Sequence, residues 1–362
     1  MSKRNFSIVG NSPSWLRRGA AKRRGGSFKE IHFLTNTTPA LFLRLRPIGL
    51  ALRGATPPQL RRGVCAFTRL FVQSLSAALF ILFVASASAQ APQETTEYGP
   101  AKGTLLIVGG GPLEKSGIFE KFIELAGGPD AKFVIVPTAG GNKTRDGEVR
   151  IYQEEEIIKP WKERGLKNVR MLHTHDPKVA DTEQFVQFLR EANAVWFNGG
   201  RQWNIVDSYA NTLTYREFHK VLERGGVIAG TSAGASIQGE FLVRGAVESS
   251  DLIIAPEPEH HTAFNFLRKS AIDQHLNTRN RWDDIIPLIK KYPHLLGIGL
   301  SEVTAIIVRG DKFEVFGAWK VAIHDNTRMY QPWDKPYFVL SAGDVYNMKT
   351  RKVEKLGIGS RQ

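Results

Sequence analysis

Cysteine is nearly absent from this 362-residue chain: the single Cys65 lies in a segment that reads as a leader. The part that follows can form no disulfide and offers no thiol nucleophile. It also has no cysteine for a lipid anchor at the expected cleavage point, where Gln90 stands. Acidic residues are nearly absent from the first 89 positions, which hold fourteen lysines and arginines against Glu30 alone. That segment carries +13 of the formal +14, so residues 90–362 are close to neutral at +1. The basic balance therefore gives no reason to expect a nucleic-acid partner; a DNA-binding arm remains an alternative for residues 1–60 only. No long unbroken apolar run is present. Leu70 to Ala85 is interrupted by Gln73, Ser74 and Ser76, and is short for a hydrocarbon core of ~30 Å.

What surrounds that run gives it a meaning. Arg61, Arg62 and Arg69 precede it and Ala87-Ser-Ala89 follows it, the layout of a secretory signal peptide over residues 64–89 with cleavage before Gln90. Residues 1–63 are then an extension that is non-native or disordered, and translation is expected to begin nearer Val64. An intact precursor mass that includes residues 1–60 would overturn that expectation. The product is expected to be secreted or periplasmic, with no membrane partner once the leader is removed. Residues 90–102 read as a loose polar linker, and residues 103–362 as one domain large enough for a substantial core.

The domain alternates apolar runs with amphipathic segments. Thr104–Val108, Lys132–Val136, Val169–Leu172, Ala194–Phe197 and Gly225–Ala229 read as buried strands. Helices are expected over Glu114–Ala126, Glu148–Arg164, Thr182–Ala192 and Tyr215–Arg224. Alternation at this spacing predicts an α/β fold with a doubly wound, mostly parallel sheet, whose ligands collect at the carboxyl ends of the strands. Gly109–Gly111, Gly199–Gly200 and Ser232 all fall at such ends. Further on, Phe241–Arg244 reads as a short strand, Glu248–His261 as a loop and Phe264–Ile289 as helical. The β-prone runs from Gly297 onward read as added antiparallel C-terminal strands.

The chemistry is concentrated in a few stretches. Gly230-Thr-Ser-Ala-Gly234 ends the fifth strand as Gly-x-Ser-x-Gly, a turn that exposes a serine Oγ while the next backbone N–H helps hold an oxyanion. Gly109-Gly-Gly-Pro112 matches neither the dinucleotide fingerprint nor the phosphate loop, and is read as a tight turn. A serine nucleophile needs a base, and eight histidines follow the leader. His173 and His175, and the pair His260 and His261, lack the His-Glu-x-x-His pattern, so neither a metal nor any other cofactor is expected. His275 stands in a dense polar set with Asp273, Gln274, Arg279 and Arg281.

Four motifs now stand in order. They are Gly-Gly-x-Gln at 199–202, Gly-Thr-Ser-Ala-Gly-Ala around Ser232, Ile-Asp-Gln-His at 272–275 with Arg279-x-Arg281, and Gly-Ile-Gly-x-x-Glu at 297–302. Together they resemble the cyanophycinase-like serine peptidases, relatives of the aspartyl dipeptidases. The resemblance runs from about Gly103 to Val308 and implies a flavodoxin-like sheet of the class I glutamine amidotransferase type. It further implies Ser232 as nucleophile, His275 as base and Glu302 as orienting acid, with Glu248 the alternative by the aspartyl dipeptidase pattern. The Ala233 and Gly200 N–H groups would be the oxyanion donors, and Gln202, Asp273, Gln274, Arg279 and Arg281 would recognise a peptide substrate. Two departures bear on specificity: Asp284 replaces the third arginine of the cyanophycinase pattern, and Arg201 stands where an acid is more usual. The expected activity is hydrolysis of aspartyl or β-aspartyl peptides through an acyl-enzyme. An aspartyl dipeptidase or other amide hydrolase is one alternative; a catalytically silent exported binding protein is the other. A homodimer is allowed.

Overall fold

The structure, a computed structural model, describes residues 95–144 and 146–357. The expected extension and signal peptide lie outside the described residues. Among those that are described, no helix is long and apolar enough to cross a membrane.

Five parallel strands form one half of the main sheet: β1 (Thr104–Val108), β2 (Lys132–Val136), β3 (Asn168–Met171), β4 (Ala194–Phe197) and β5 (Val227–Thr231). Their order in space is β1-β5-β4-β2-β3. The connection from β2 runs to β3 on one side, whereas β4 pairs with β2 on the other, so the direction of winding reverses there. Ligands bind at such a switch point. Helices α1 (Ile118–Leu125), α2 (Glu154–Glu163), α3 (Pro177–Ala180), α4 (Glu183–Glu191), α5 (Gln202–Tyr209) and α6 (Leu213–Glu223) follow these strands, and α7 (Ala233–Ser236) leaves β5.

The strands read as unbroken apolar runs because both of their faces are buried. Successive side chains point to opposite sides. Leu105, Ile107, Val195, Phe197 and Ile228 accordingly enter one core, and Leu106, Val108, Ala194, Trp196 and Ala229 the other. The second core centres on rings: Trp196 lies 5.2 Å from Phe122 and 5.3 Å from Trp161, centroid to centroid.

The rest of the chain builds β6 (Ser270–Gln274), α8 (Leu276–Arg279), α9 (Ile286–Lys291), β7 (Leu296–Leu300), β8 (Thr304–Arg309), β9 (Lys312–Gly317), β10 (Val321–His324), β11 (Phe338–Leu340), β12 (Val345–Asn347) and β13 (Lys352–Lys355). Strands β8, β9, β12 and β13 extend the main sheet antiparallel to β1 and to one another. The others form a second sheet, β11-β10-β7-β6, which shares the first core through Ile272, Ile298, Leu300 and Ile323.

Four expectations need correction. The segment Phe264–Ile289 is not one helix but a strand, β6, and two short helices. Residues 148–153 stand outside α2, because Val149 bridges back to Lys143. Phe241–Arg244 is not a strand, although Phe241 makes isolated bridges to Thr262 and Ala271. The end of the linker is docked rather than loose: the Glu97 and Tyr98 N–H groups donate to Asp311 Oδ1 at 2.7 and 2.8 Å, and Tyr98 is buried.

Candidate active site

The chain leaves β5 through Ser232, whose backbone is forced to φ 55°, ψ −112°. A non-glycine residue held there costs about 1–3 kcal/mol and persists only where its surroundings impose it. Here the Ser232 N–H donates to Val108 O at 3.0 Å, and the Ser232 carbonyl accepts the Ala235 N–H at 2.9 Å as α7 begins. The turn is thus pinned from β1 on one side and from its own helix on the other.

His275 arrives from the second sheet. It ends β6 in the left-handed region at φ 62°, and its N–H donates to Gly109 O at 3.1 Å. His275 Nε2 lies 2.8 Å from Ser232 Oγ, and its Nδ1 lies 2.5 Å from Glu302 Oε1. In the neutral ring these distances suit a proton on Nδ1, donated to the carboxylate, with Nε2 accepting from the serine hydroxyl. Glu302 sits in the passage from β7 to β8, where Val303 is also left-handed at φ 57°. The Glu302 N–H donates to Asn277 Oδ1 at 2.8 Å, and the Val303 N–H to Gly110 O at 2.9 Å.

The glycine turn after β1 has a use that its sequence did not disclose. A Cβ at Gly110, where φ is 105°, would overlap the His275 ring, and one at Gly111 would overlap Glu302. His275 and Glu302 both rest on this turn.

Burial holds the His275 imidazole below its ordinary range; the hydrogen bond to Glu302 works against that shift, and the charge of Arg279 works with it. Burial raises the Glu302 carboxyl, but hydrogen bonds from His275 and Thr278 and the charges of His275 and Arg279 outweigh it, leaving the group below the usual carboxylate range. A general base acts only when neutral. The acid limb of kcat/KM is therefore expected below the ordinary imidazole value, and Arg279→Gln should move it to higher pH. A pH–rate profile of both proteins checks this; an unshifted limb in the variant would contradict it.

The other expected residues divide. Ala233 follows the serine directly and Gly200 follows Gly199, which packs on the serine side chain; among the described residues no backbone carbonyl accepts from the Ala233 or Gly200 N–H. Arg279 is exposed at the end of α8, close enough to act electrostatically on both His275 and Glu302. Glu248 is exposed and is not a partner of His275. Gln202 is buried and donates twice, at 2.6 Å each, to the Val243 and Arg244 carbonyls, so its amide nitrogen braces the fold instead of meeting substrate. Asp273 is fully buried and held by Arg244, with Nε to Oδ1 at 2.9 Å and Nη2 to Oδ2 at 3.1 Å. Gln274 accepts from Arg281 Nη1 at 3.2 Å, and both residues are buried. Asp273, Gln274 and Arg281, expected to face a substrate, are thus engaged in an internal polar network.

The same network answers the charge at Asp284. Arg244 Nη2 donates to Asp284 Oδ2 at 2.6 Å, so the acid that stands in place of an arginine has a cation supplied from a distant segment. Arg244 and Asn277 were not foreseen, and the Gly109–Gly111 turn was expected only as a tight turn at a ligand-collecting strand end, not as the seat of His275 and Glu302. An arginine ending an apolar run was the one available signal.

The histidine pairs away from Ser232 are engaged locally. His173 Nδ1 lies 2.9 Å from Thr138 Oγ1, His260 Nε2 lies 2.8 Å from Asp207 Oδ1, and His261 Nε2 lies 2.8 Å from Ala255 O. Among the described residues no three or more His, Cys, Asp or Glu side chains gather as a metal site.

A serine on a strand-to-helix turn, a histidine in hydrogen-bond reach and a carboxylate behind it, set at the carboxyl edge of a mostly parallel sheet, define a hydrolase of the serine type. The chain belongs to Peptidase family S51, which residues 105–316 match, and is a serine-type peptidase. It is 26% identical over 270 residues to the cyanophycinase of Geminocystis herdmanii, covering 69% of this chain and 96% of that one. It is likewise 26% identical over 284 residues to the cyanophycinase of Synechococcus elongatus, covering 72% and 84%. The crystal structure of a peptidase from an acI-B1 Actinobacterium superimposes with a TM-score of 0.51 at 24% identity, covering 68% of this chain and 97% of the other, and shares the fold.

Proposed function

We propose that this chain hydrolyses aspartyl or β-aspartyl peptide bonds of the cyanophycin type through a Ser232–His275–Glu302 triad. The observation that carries this reading is the continuous pair of hydrogen bonds from Ser232 Oγ through the His275 ring to Glu302. Ser232 Oγ attacks the carbonyl carbon while His275 Nε2 takes its proton and Glu302 steadies the imidazolium. The oxyanion is met by the Ala233 and Gly200 N–H groups. The C–N bond then breaks as the imidazolium passes its proton to the leaving amine. Water, deprotonated by His275, attacks the acyl-enzyme and releases Ser232.

Charge supports the aspartyl preference. Asp273 and Asp284 are both paired with Arg244, whereas Arg279 remains exposed beside the triad, where it suits a substrate carboxylate. We also infer that the product is exported, on the strength of the leader alone. Incubation of the purified chain with cyanophycin, β-aspartyl-arginine and a panel of aspartyl dipeptides tests the substrate; hydrolysis of none would remove the aspartyl assignment.

A further inference from the structure

We propose that Arg150 and Tyr152 are positioning residues for the oxyanion-binding turn, acting through the loop that ends β2. The inference rests on the triad reading above. The Gly199–Gly200 turn lies beside the nucleophile: a Cβ at Gly199 would stand 3.2 Å from Ser232 Cβ and 3.8 Å from its Oγ. The height of the turn over Ser232 is set from behind. Gly200, at φ 150°, is pressed against the Ala139–Gly140 peptide so closely that a Cβ there would overlap the Ala139 carbonyl. The next residue, Arg201, donates its N–H to the same Ala139 oxygen at 2.7 Å.

That supporting loop is itself held from outside. Arg150 Nη1 donates to Gly140 O at 2.7 Å, and Tyr152 OH donates to Gly141 O at 2.9 Å. Tyr152 is fixed in turn by the His173 ring, 4.3 Å away between centroids, while His173 and Tyr209 both engage the Thr138 hydroxyl at the start of the loop. Arg150 closes an exposed excursion of the chain, its N–H donating to Asn142 O at 2.8 Å. Neither residue shares a hydrogen bond with the triad. Their two bonds are made to consecutive carbonyls, those of Gly140 and Gly141, and the Gly140 peptide packs directly on Gly200. Without them the loop can relax away from the turn, and the Gly200 N–H moves off the place where negative charge develops. Such a donor matters in the transition state far more than in the ground state.

The test uses a reagent that needs no knowledge of the natural substrate. An alkyl fluorophosphonate is attacked at phosphorus by Ser232 Oγ: the O–P bond forms, fluoride leaves, the serine proton passes to His275, and the phosphoryl oxygen takes the oxyanion position. Tyr152→Phe and Arg150→Gln are each expected to lower the maximal inactivation rate by about 10–100-fold, less than the 10²–10³-fold typical of losing a donor outright. The reagent's KI should stay within twofold, and Arg150→Lys should recover much of the rate. Unchanged maximal rates in folded variants would overturn the inference and leave the triad reading intact, as would a loss confined to KI. Failure of the wild type itself to be labelled at Ser232 would overturn the triad reading and the inference with it. Tyr152→Phe removes one oxygen only, so it carries the test if Arg150→Gln does not fold.

Discussion

Ser232→Ala is expected to lower kcat on the most active substrate by on the order of 10⁶-fold and to abolish fluorophosphonate labelling. The expectation follows from what the substitution removes and what it spares. It removes the Oγ that would carry the proposed acyl-enzyme. It spares the Ser232 N–H bond to Val108 and the carbonyl bond to Ala235, which hold the turn through backbone alone. The variant should therefore fold and bind peptide as before. Labelling with mass-spectrometric site assignment, beside circular dichroism of both proteins, checks each half. A variant that keeps more than about a hundredth of wild-type turnover would place the nucleophile elsewhere, because loss of a triad serine is not compensated by neighbours.

Glu302→Gln should cost kcat on the order of 10⁴-fold, whereas Glu248→Gln should leave it within about twofold. The carboxylate accepts the His275 Nδ1 proton and so keeps Nε2 free to accept from Ser232. A glutamine can present its NH₂ group to Nδ1, which favours the opposite tautomer and stops Nε2 from acting as base. The Glu302 N–H bond to Asn277 survives the substitution, so the passage from β7 to β8 should hold its course. Glu248 is exposed and makes no bond to the histidine. Comparable losses in the two variants would show that the acid is not uniquely Glu302.

The parallel half of the fold was legible because burial on both faces leaves an unbroken apolar run, as in Leu105–Val108 and Val195–Phe197. Strand β6 was hidden for the opposite reason. Its buried residues include Ser270, Asp273 and Gln274, polar side chains whose partners come from Leu267, Arg244, Arg281 and Ser236. No local pattern can announce a partner 29 residues away, as Arg244 is from Asp273.

In the site, Ser232 was legible from turn chemistry and His275 from the density of polar residues around it. Glu302 was singled out only through the resemblance, since one glutamate in a turn has no signature of its own. The expectation of a substrate-facing Asp273 failed because sequence shows a charge without showing whether the protein has already neutralised it. The positive-φ backbones at Ser232, His275 and Val303 were likewise beyond reach, since such conformations are imposed by the surrounding structure and not announced by the residue type.

The two-sheet arrangement has a consequence for how this enzyme should fail. Ser232 Oγ follows a strand of one sheet, the His275 ring a strand of the other, and the Glu302 carboxylate sits on the strip of chain that crosses between them. Turnover is therefore a gauge of how closely the two sheets are docked, at a tolerance of about 1 Å, well before either loses its own ladder of hydrogen bonds. In a urea titration, activity is expected to disappear ahead of the far-ultraviolet dichroism, and coincident transitions would show that the sheets separate only as the whole domain unfolds.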